Sequence, residues 1–345
     1  MKKLFFVVAL LAVVASCTKN EVIPQNDGNK EITYLTAPLT KASSFGITNK
    51  FYSYAYLLTS GNWETGAGSS TPYINGAKIS YSDNQWKAAT AYYWPKDANS
   101  KLTFFAWGDG TPDPALVMGD CSNTTGIVFV NYNVADSKNK DLMVAKIAAD
   151  QKNNTPSVDP YGKDGVTQGV PTLFYHVLSS LEIKAKKAEN YPQVTFNVKN
   201  ITLLNNSVKG SYTQGVDATK LPTAGTWAQA SPVVTADLQV YNNTGFTLTT
   251  SAEPLAATDA DYRILLPHTF GVDEKMQITY EIVTEYISGH PVTETVTFSQ
   301  KLSDIFGASW EAGKKYTLTI ILDMKEILWD PAVEVWDLPS GDWNI

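Results

Sequence analysis

The residues best arranged for chemistry lie near the N-terminus, where Val14-Ala15-Ser16 places small side chains directly before Cys17. This is the pattern of a bacterial lipobox. The cysteine thiol takes a diacylglyceryl group, and a peptidase whose tight site admits small side chains cuts before it. Cys17 is therefore expected as the acylated first residue of the mature chain. Residues 1–16 have the parts of a secretory signal, a basic start at Lys2-Lys3 and an apolar run from Leu4 to Val14. That run is too short to span a bilayer, which takes about 20 residues. Several acyl chains, each contributing about 0.8 kcal/mol per buried CH2, make a lasting anchor in a membrane face outside the cytoplasm. Residues 17–30 are polar and hold Pro24, Asn26, Asp27 and Gly28, the composition of a flexible tether.

Elsewhere the chemistry is sparse. His176, His268 and His290 are far apart, and none stands at a metal-ligand spacing. His176 falls within an apolar strand, where a satisfied core or edge histidine is expected rather than a base. No His-Glu-x-x-His, Cys-x-x-Cys or Gly-x-Ser-x-Gly is present. Asp159 and Asp164 flank Gly162 and Gly165 without the spacing of an EF-hand loop, so no metal is expected there. Paired carboxylates for glycoside hydrolysis can come from any two strands. No positive sign of them exists, and neither an enzyme nor a cofactor is expected. With Cys17 spent on lipid, Cys121 has no disulfide partner and is either a reactive thiol or, as expected, a buried one.

Two further features bear on partners. The formal charge is −7, and loss of residues 1–16 removes Lys2 and Lys3 to leave −9. An acidic chain without a basic cluster is a poor nucleic-acid binder, because phosphate neutralisation supplies most of that affinity. Nine Trp and 18 Tyr offer flat faces suited to sugar rings, and Trp63, Trp86, Trp107 and Trp227 lie near turns. Coplanar exposed rings there would mark a stand-alone glycan-binding surface lipoprotein. Burial in a core is the competing expectation, since aromatic side chains bury large areas.

The elements that must position these residues are strands. Past residue 31 the chain alternates on a two-residue period, in Phe51–Leu57, Leu102–Trp107, Ile127–Tyr132, Val194–Val198, Met276–Val283, Val292–Phe298 and Lys314–Leu322. Turn residues separate them, among them Ser60-Gly61-Asn62, Asp109-Gly110 and Ser288-Gly289. Residues 150–169 read as a long surface loop, and 186–192 as a polar break. The expected fold is all-β: two sandwiches, over 31–189 and 190–345.

Several landmarks, in order along the chain, resemble the fimbrillin family of type V pilus subunits. They are Ile32-Thr33-Tyr34 followed by Thr40-Lys41-Ala42, and Tyr93-Trp94-Pro95 followed by Leu102–Ala106. The pair Asp141–Ala145 and Leu173–Ser179 comes next, then Trp310–Tyr316 and a closing strand through Trp336. The resemblance implies tandem transthyretin-like sandwiches, an outer-membrane lipoprotein, and proteolytic removal of a first strand containing Ile32, Tyr34 and Leu35. A strand from a neighbouring subunit then fills the vacated groove, its backbone pairing and alternating pockets making the addition tight. Such head-to-tail contacts do not close and so grow filaments. The implied partners are other pilus subunits, the membrane holding the lipid, and a host or bacterial surface ligand. One departure matters. The family is cut after arginine, whereas here Lys41 stands before Ala42 and the only arginine is Arg263. Cleavage is thus expected after Lys41 by a lysine-accepting protease, or the subunit stays lipidated as an anchor, tip or accessory component. Ile327, Trp329, Val333, Val335 and Trp336 either supply the donor strand or complete the second sandwich.

Overall fold

A strand buries one face by alternation and both faces when its apolar run is continuous, and both patterns occur here. The computed structural model describes residues 30–36, 47–66, 71–97, 99–112, 114, 119–137, 140–152, 169–255, 263–324 and 326–336. The chain opens with β1 (Tyr34–Thr36), β2 (Phe51–Leu58), β3 (Pro72–Ser82), β4 (Gln85–Ala88), β5 (Lys101–Gly108), β6 (Asp120–Ser122) and β7 (Gly126–Asn133). The helical turn α1 (Val134–Ser137) leads to β8 (Met143–Ala145), β9 (Ala148–Gln151), β10 (Val170–Thr172), β11 (Phe174–His176) and β12 (Ser179–Lys187). Next come β13 (Val194–Ser207), β14 (Lys209–Thr213), β15 (Thr226–Gln229), β16 (Thr235–Thr247), β17 (Glu253–Pro254), β18 (Arg263–Leu265) and β19 (His268–Thr269). The chain ends with β20 (Lys275–Thr284), β21 (Val292–Lys301), the short helix α2 (Leu302–Phe306), β22 (Ser309–Trp310), β23 (Lys314–Leu322) and β24 (Ile327–Val335). The fold is all-β.

The longest sheet runs β10-β1-β4-β3-β2-β5-β8-β11, with β9 also on β5. Its two end strands are consecutive pieces of one stretch, Val170–His176. The first piece pairs parallel with β1 and the second antiparallel with β8. The sheet therefore curls until its ends meet on a single segment. Inside the curl lie Tyr34, Phe51, Ile74, Ile79, Trp86 and Phe104, all buried. The expectation of simple alternation fails for the middle strands. Every residue of β2 but Leu57 is buried, and so is every residue of β5 but Lys101. The reason is that Tyr52, Tyr54, Phe105 and Trp107 point out of the curl into a second core, against Phe129 and Tyr212 of a covering sheet, β15-β14-β7-β6.

A second body pairs a sheet ordered β17-β12-β23-β24, with β18 also on β12, with another ordered β16-β13-β20-β21. Leu181, Ile183, Leu318 and Ile320 from the first share one core with Phe196, Val198, Met276 and Ile278 from the second. The same core continues into the space under the covering sheet. That continuity follows from the chain's route. After β13 it leaves the second body, lays β14 antiparallel on β7 and β15 on β14, and returns as β16. The covering sheet thus joins strands from both halves of the sequence.

Gly126 shows how tightly the covering sheet is knitted. It sits at φ +66°, and a Cβ there would come 2.2 Å from the Gly215 carbonyl oxygen. Gly126→Ala is expected to destabilise by about 1–3 kcal/mol, combining left-handed strain with overpacking. Trp107, fully buried between Tyr52 and Phe129 at centroid distances of 5.3 and 5.2 Å, has a larger expected effect. Urea denaturation of Trp107→Ala should show a loss of about 3–5 kcal/mol.

Candidate functional site

Cys17, Lys41 and Ala42 lie outside the described residues, as do Asp159, Gly162, Asp164, Gly165 and the tail beyond Trp336. The strand before Lys41 is described. Ile32 and Tyr34 alternate inward, 2% and 4% exposed, while Leu35 on the other face is half-buried. The Tyr34 ring meets Phe51 and Phe104 edge-on at 5.5 and 6.0 Å. Burial pushes its phenol well above the ordinary range, partly offset by a side-chain contact with Ser53. Backbone pairing is modest by comparison. Strand β1 aligns with β10 over three residue pairs but with β4 only at Tyr34–Trp86, aided by Ile32 N donating to Tyr92 O at 2.7 Å. Side chains, then, hold β1 more than its ladder does: burying an Ile alone contributes about 1.5–3 kcal/mol.

At the other end, β24 pairs antiparallel with β23 from Lys314–Val335 to Leu322–Ile327. It is the outer strand of its sheet, so Ile327, Trp329, Val333 and Val335 complete the second body in this chain. They face the same side as buried Leu322, Ile320 and Tyr316, yet Val333 and Val335 are 51% and 52% exposed. Trp336, one residue further, is buried. Its ring stacks on His176 at 3.9 Å with an interplanar angle of 4°. The His176 Nδ1 is hydrogen-bonded to Asp141 Oδ2, and both side chains are sealed from solvent.

The terminal strands lie in different sheets, but one stretch contacts both. Val170–Thr172 pairs with β1, and His176 receives Trp336. Sequence reading placed His176 correctly in a buried strand and missed its partners. Met143–Ala145 and Phe174–His176 do form neighbouring strands, with His176 opposite Met143, but nothing local marks the hydrogen bond to Asp141.

His268 is likewise buried and hydrogen-bonded. Its Nδ1 donates to Leu266 O at 2.7 Å, and its Nε2 lies within hydrogen-bond distance of Glu274 Oε2 at 2.8 Å. Both groups are buried, which keeps substrate away. Among the described residues no group of three His, Cys, Asp or Glu is placed to hold a metal. The exposed platform that would mark a glycan binder is not formed by these tryptophans: Trp63, Trp86 and Trp107 are buried, as the core reading has it, and Trp227 is partly buried with its Nε1 donating to Val177 O at 2.6 Å. A cleft of about 780 Å³ lies beside Trp63, Asn123 and Asp217. Trp63 spends its Nε1 on Val216 O and presents no open ring face there.

Cys121 is free and buried, and burial pushes its thiol far up. It stays protonated at neutral pH, and a thiol reagent is expected to leave the folded protein unlabelled and label it on unfolding. Gly169 offers a selective handle on β1, since a Cβ there would stand 3.0 Å from Leu35 Cγ and 3.2 Å from the Tyr34 carbonyl carbon. Gly169→Val should push β1 outward. Hydrogen exchange at residues 32–36 is expected to rise by about tenfold or more, equivalent to about 1.4 kcal/mol, with β13 and β20 unchanged.

Comparison with known proteins places this arrangement. Residues 61–336 match the fimbrillin-like family model. A fimbrial protein from Bacteroides vulgatus has a similar fold: TM-score 0.65 at 19% identity, over 89% of this chain and 100% of that one. A putative cell adhesion protein from Bacteroides uniformis aligns over 90% of this chain and 99% of its own, at 16% identity and TM-score 0.49. No curated protein matches the sequence. The match to the family model spans most of the chain, from the β2–β3 connection to the residue that stacks on His176: the chain belongs to the fimbrillin-like family.

Proposed function

We propose that this chain is a structural subunit of a type V pilus, exported as a lipoprotein through Cys17, held at the outer membrane, and assembled by strand exchange after proteolysis. As a fimbrillin-like chain it is a pilus subunit at the cell surface that works with other subunits. The observation that carries the finer reading is the placement of β1. A short strand next to the Lys41 junction fills a slot between β4 and β10 and inserts Ile32 and Tyr34 into the aromatic core. Taking it away would leave a strand-shaped groove with two unpaired edges and a hydrophobic floor. An incoming strand satisfies both at once, recovering the backbone pairing and covering an aggregation-prone edge.

We read the architecture as tandem transthyretin-like sandwiches divided near residue 178 rather than at the expected 189, because β12 (Ser179–Lys187) pairs with β23 of the second body. Lys209–Gln229 is returned to the first. Strand β24 is the donor candidate. It lies at an edge, is paired on one side only, and buries little of its own surface. Arg263 is unsuited to a maturation cut, being partly buried in β18 with its Nη2 donating to Val134 O at 3.4 Å. Lys41 is therefore the site we assign. A host or bacterial surface ligand would be met by the assembled fibre.

The test is to treat the purified chain with a lysine-specific protease, sequence the new N-terminus and follow polymer formation. A cut after Lys41 followed by heat-resistant ladders, both abolished in Lys41→Ala, is the expected result. Assembled fibres carrying an intact Thr40-Lys41-Ala42 junction would refute it.

A further inference from the structure

The last strand is held in an uneven way. None of the nine residues of β24 is buried, and Leu328, Val333 and Val335 are 43%, 51% and 52% exposed. Trp329 stacks on Phe298, itself 40% exposed, at 6.3 Å. Trp336 at the strand's end is only 3% exposed. Its backbone N–H donates to Gly313 O at 2.9 Å, and Gly313 N–H donates in turn to Leu178 O at 2.9 Å. The seat is shaped for this arrangement: Gly313 has φ +69°, and a Cβ on it would come 2.5 Å from Thr223 Cγ2. Beneath the indole the imidazole of His176 is fixed by Asp141, and β11, which carries it, is paired to β8. The strand's deepest contact is thus made to a different sheet from the one it belongs to.

We propose that Trp336, seated on His176, is the latch that keeps the C-terminal strand in its own sheet, so that unseating one side chain makes β24 separately releasable. The proposal rests on the reading of β24 as a donor strand. Physically, an outer strand with exposed side chains opens at a free energy set by its few buried contacts, whereas the strands behind it open only with the core. Strand β23 illustrates the contrast, with Tyr316, Leu318, Ile320 and Leu322 buried and a parallel partner in β12 on its far side.

The experiment is hydrogen exchange on the full chain, comparing the native protein with Trp336→Ala and Trp336→Phe. In Trp336→Ala, amides of residues 328–335 are expected to exchange about tenfold faster or more, with β12, β13 and β20 within about twofold of native. Trp336→Phe keeps a ring on the imidazole and is expected within about threefold of native, a graded response that also covers the case of an alanine variant that does not fold. Unchanged exchange of β24 in both variants would overturn the latch. So would equal acceleration across β12, β23 and β24, which marks ordinary core support. The donor reading is decided separately by Thr317→Cys/Ala332→Cys, a cross-strand pair between β23 and β24. If the oxidised, locked chain assembles as well as the reduced one, β24 is not the donor, whatever the exchange result.

Discussion

A sheet leaves two rows of backbone donors and acceptors unpaired, one at each end, and the structure of this protein is organised around a single answer to that demand. Val170–His176 gives its first half to β1 and its second half to β8, so both ends of the longest sheet are satisfied by one segment. Closure then creates an inside, which the aromatic residues of β1, β2, β4 and β5 fill. It also creates an outside, and the other faces of β2 and β5 require the covering sheet. The covering sheet in turn needs β14 and β15, which draws the second half of the chain onto the first.

That dependence explains why β1 can be both deeply buried and weakly paired. Its register partners number three on one side and one on the other, while Ile32 and Tyr34 sit within an aromatic cluster. The place of β1 is therefore defined by side-chain pockets and by the hydrogen bonds of its neighbours. The single segment that closes the sheet also carries His176, so the slot for the first strand and the seat for Trp336 belong to one covalent stretch.

Much of this was legible in the residues. Strand-forming runs located β2, β5, β7, β20 and β23, the last to the residue, although the alternation expected of them fails in β2 and β5, which are buried on both faces. What stayed hidden depends on partners distant in sequence. The β3–β4 hairpin turns through Asp83 and Asn84 at φ 52° and 58°. It was missed although Ala77, Ile79 and Tyr81 alternate and Trp86 and Ala88 continue the pattern, because Asn75-Gly76 and the polar turn interrupt it. Lys209–Thr213 contains little that is hydrophobic, because its burial is supplied by β7, some eighty positions earlier in the chain. The tryptophans near turns were expected in a core rather than on a sugar-binding face, and the packing puts Trp63, Trp86 and Trp107 inside. His176 and Asp141 stand 35 positions apart and meet only because β8 and β11 are neighbours.

The parallel pairing of β12 with β23, from Ser180–Lys315 to Lys187–Leu322, has a consequence for how the molecule comes into being. A strand near the middle of the chain waits for one near residue 320, so the second core cannot condense until almost the whole polypeptide is available. High contact order of this kind slows folding and prolongs the exposure of apolar strands. During that interval its apolar strands stay open to association with other chains, so the same pairing that completes the second core also sets how long the chain is at risk of aggregation.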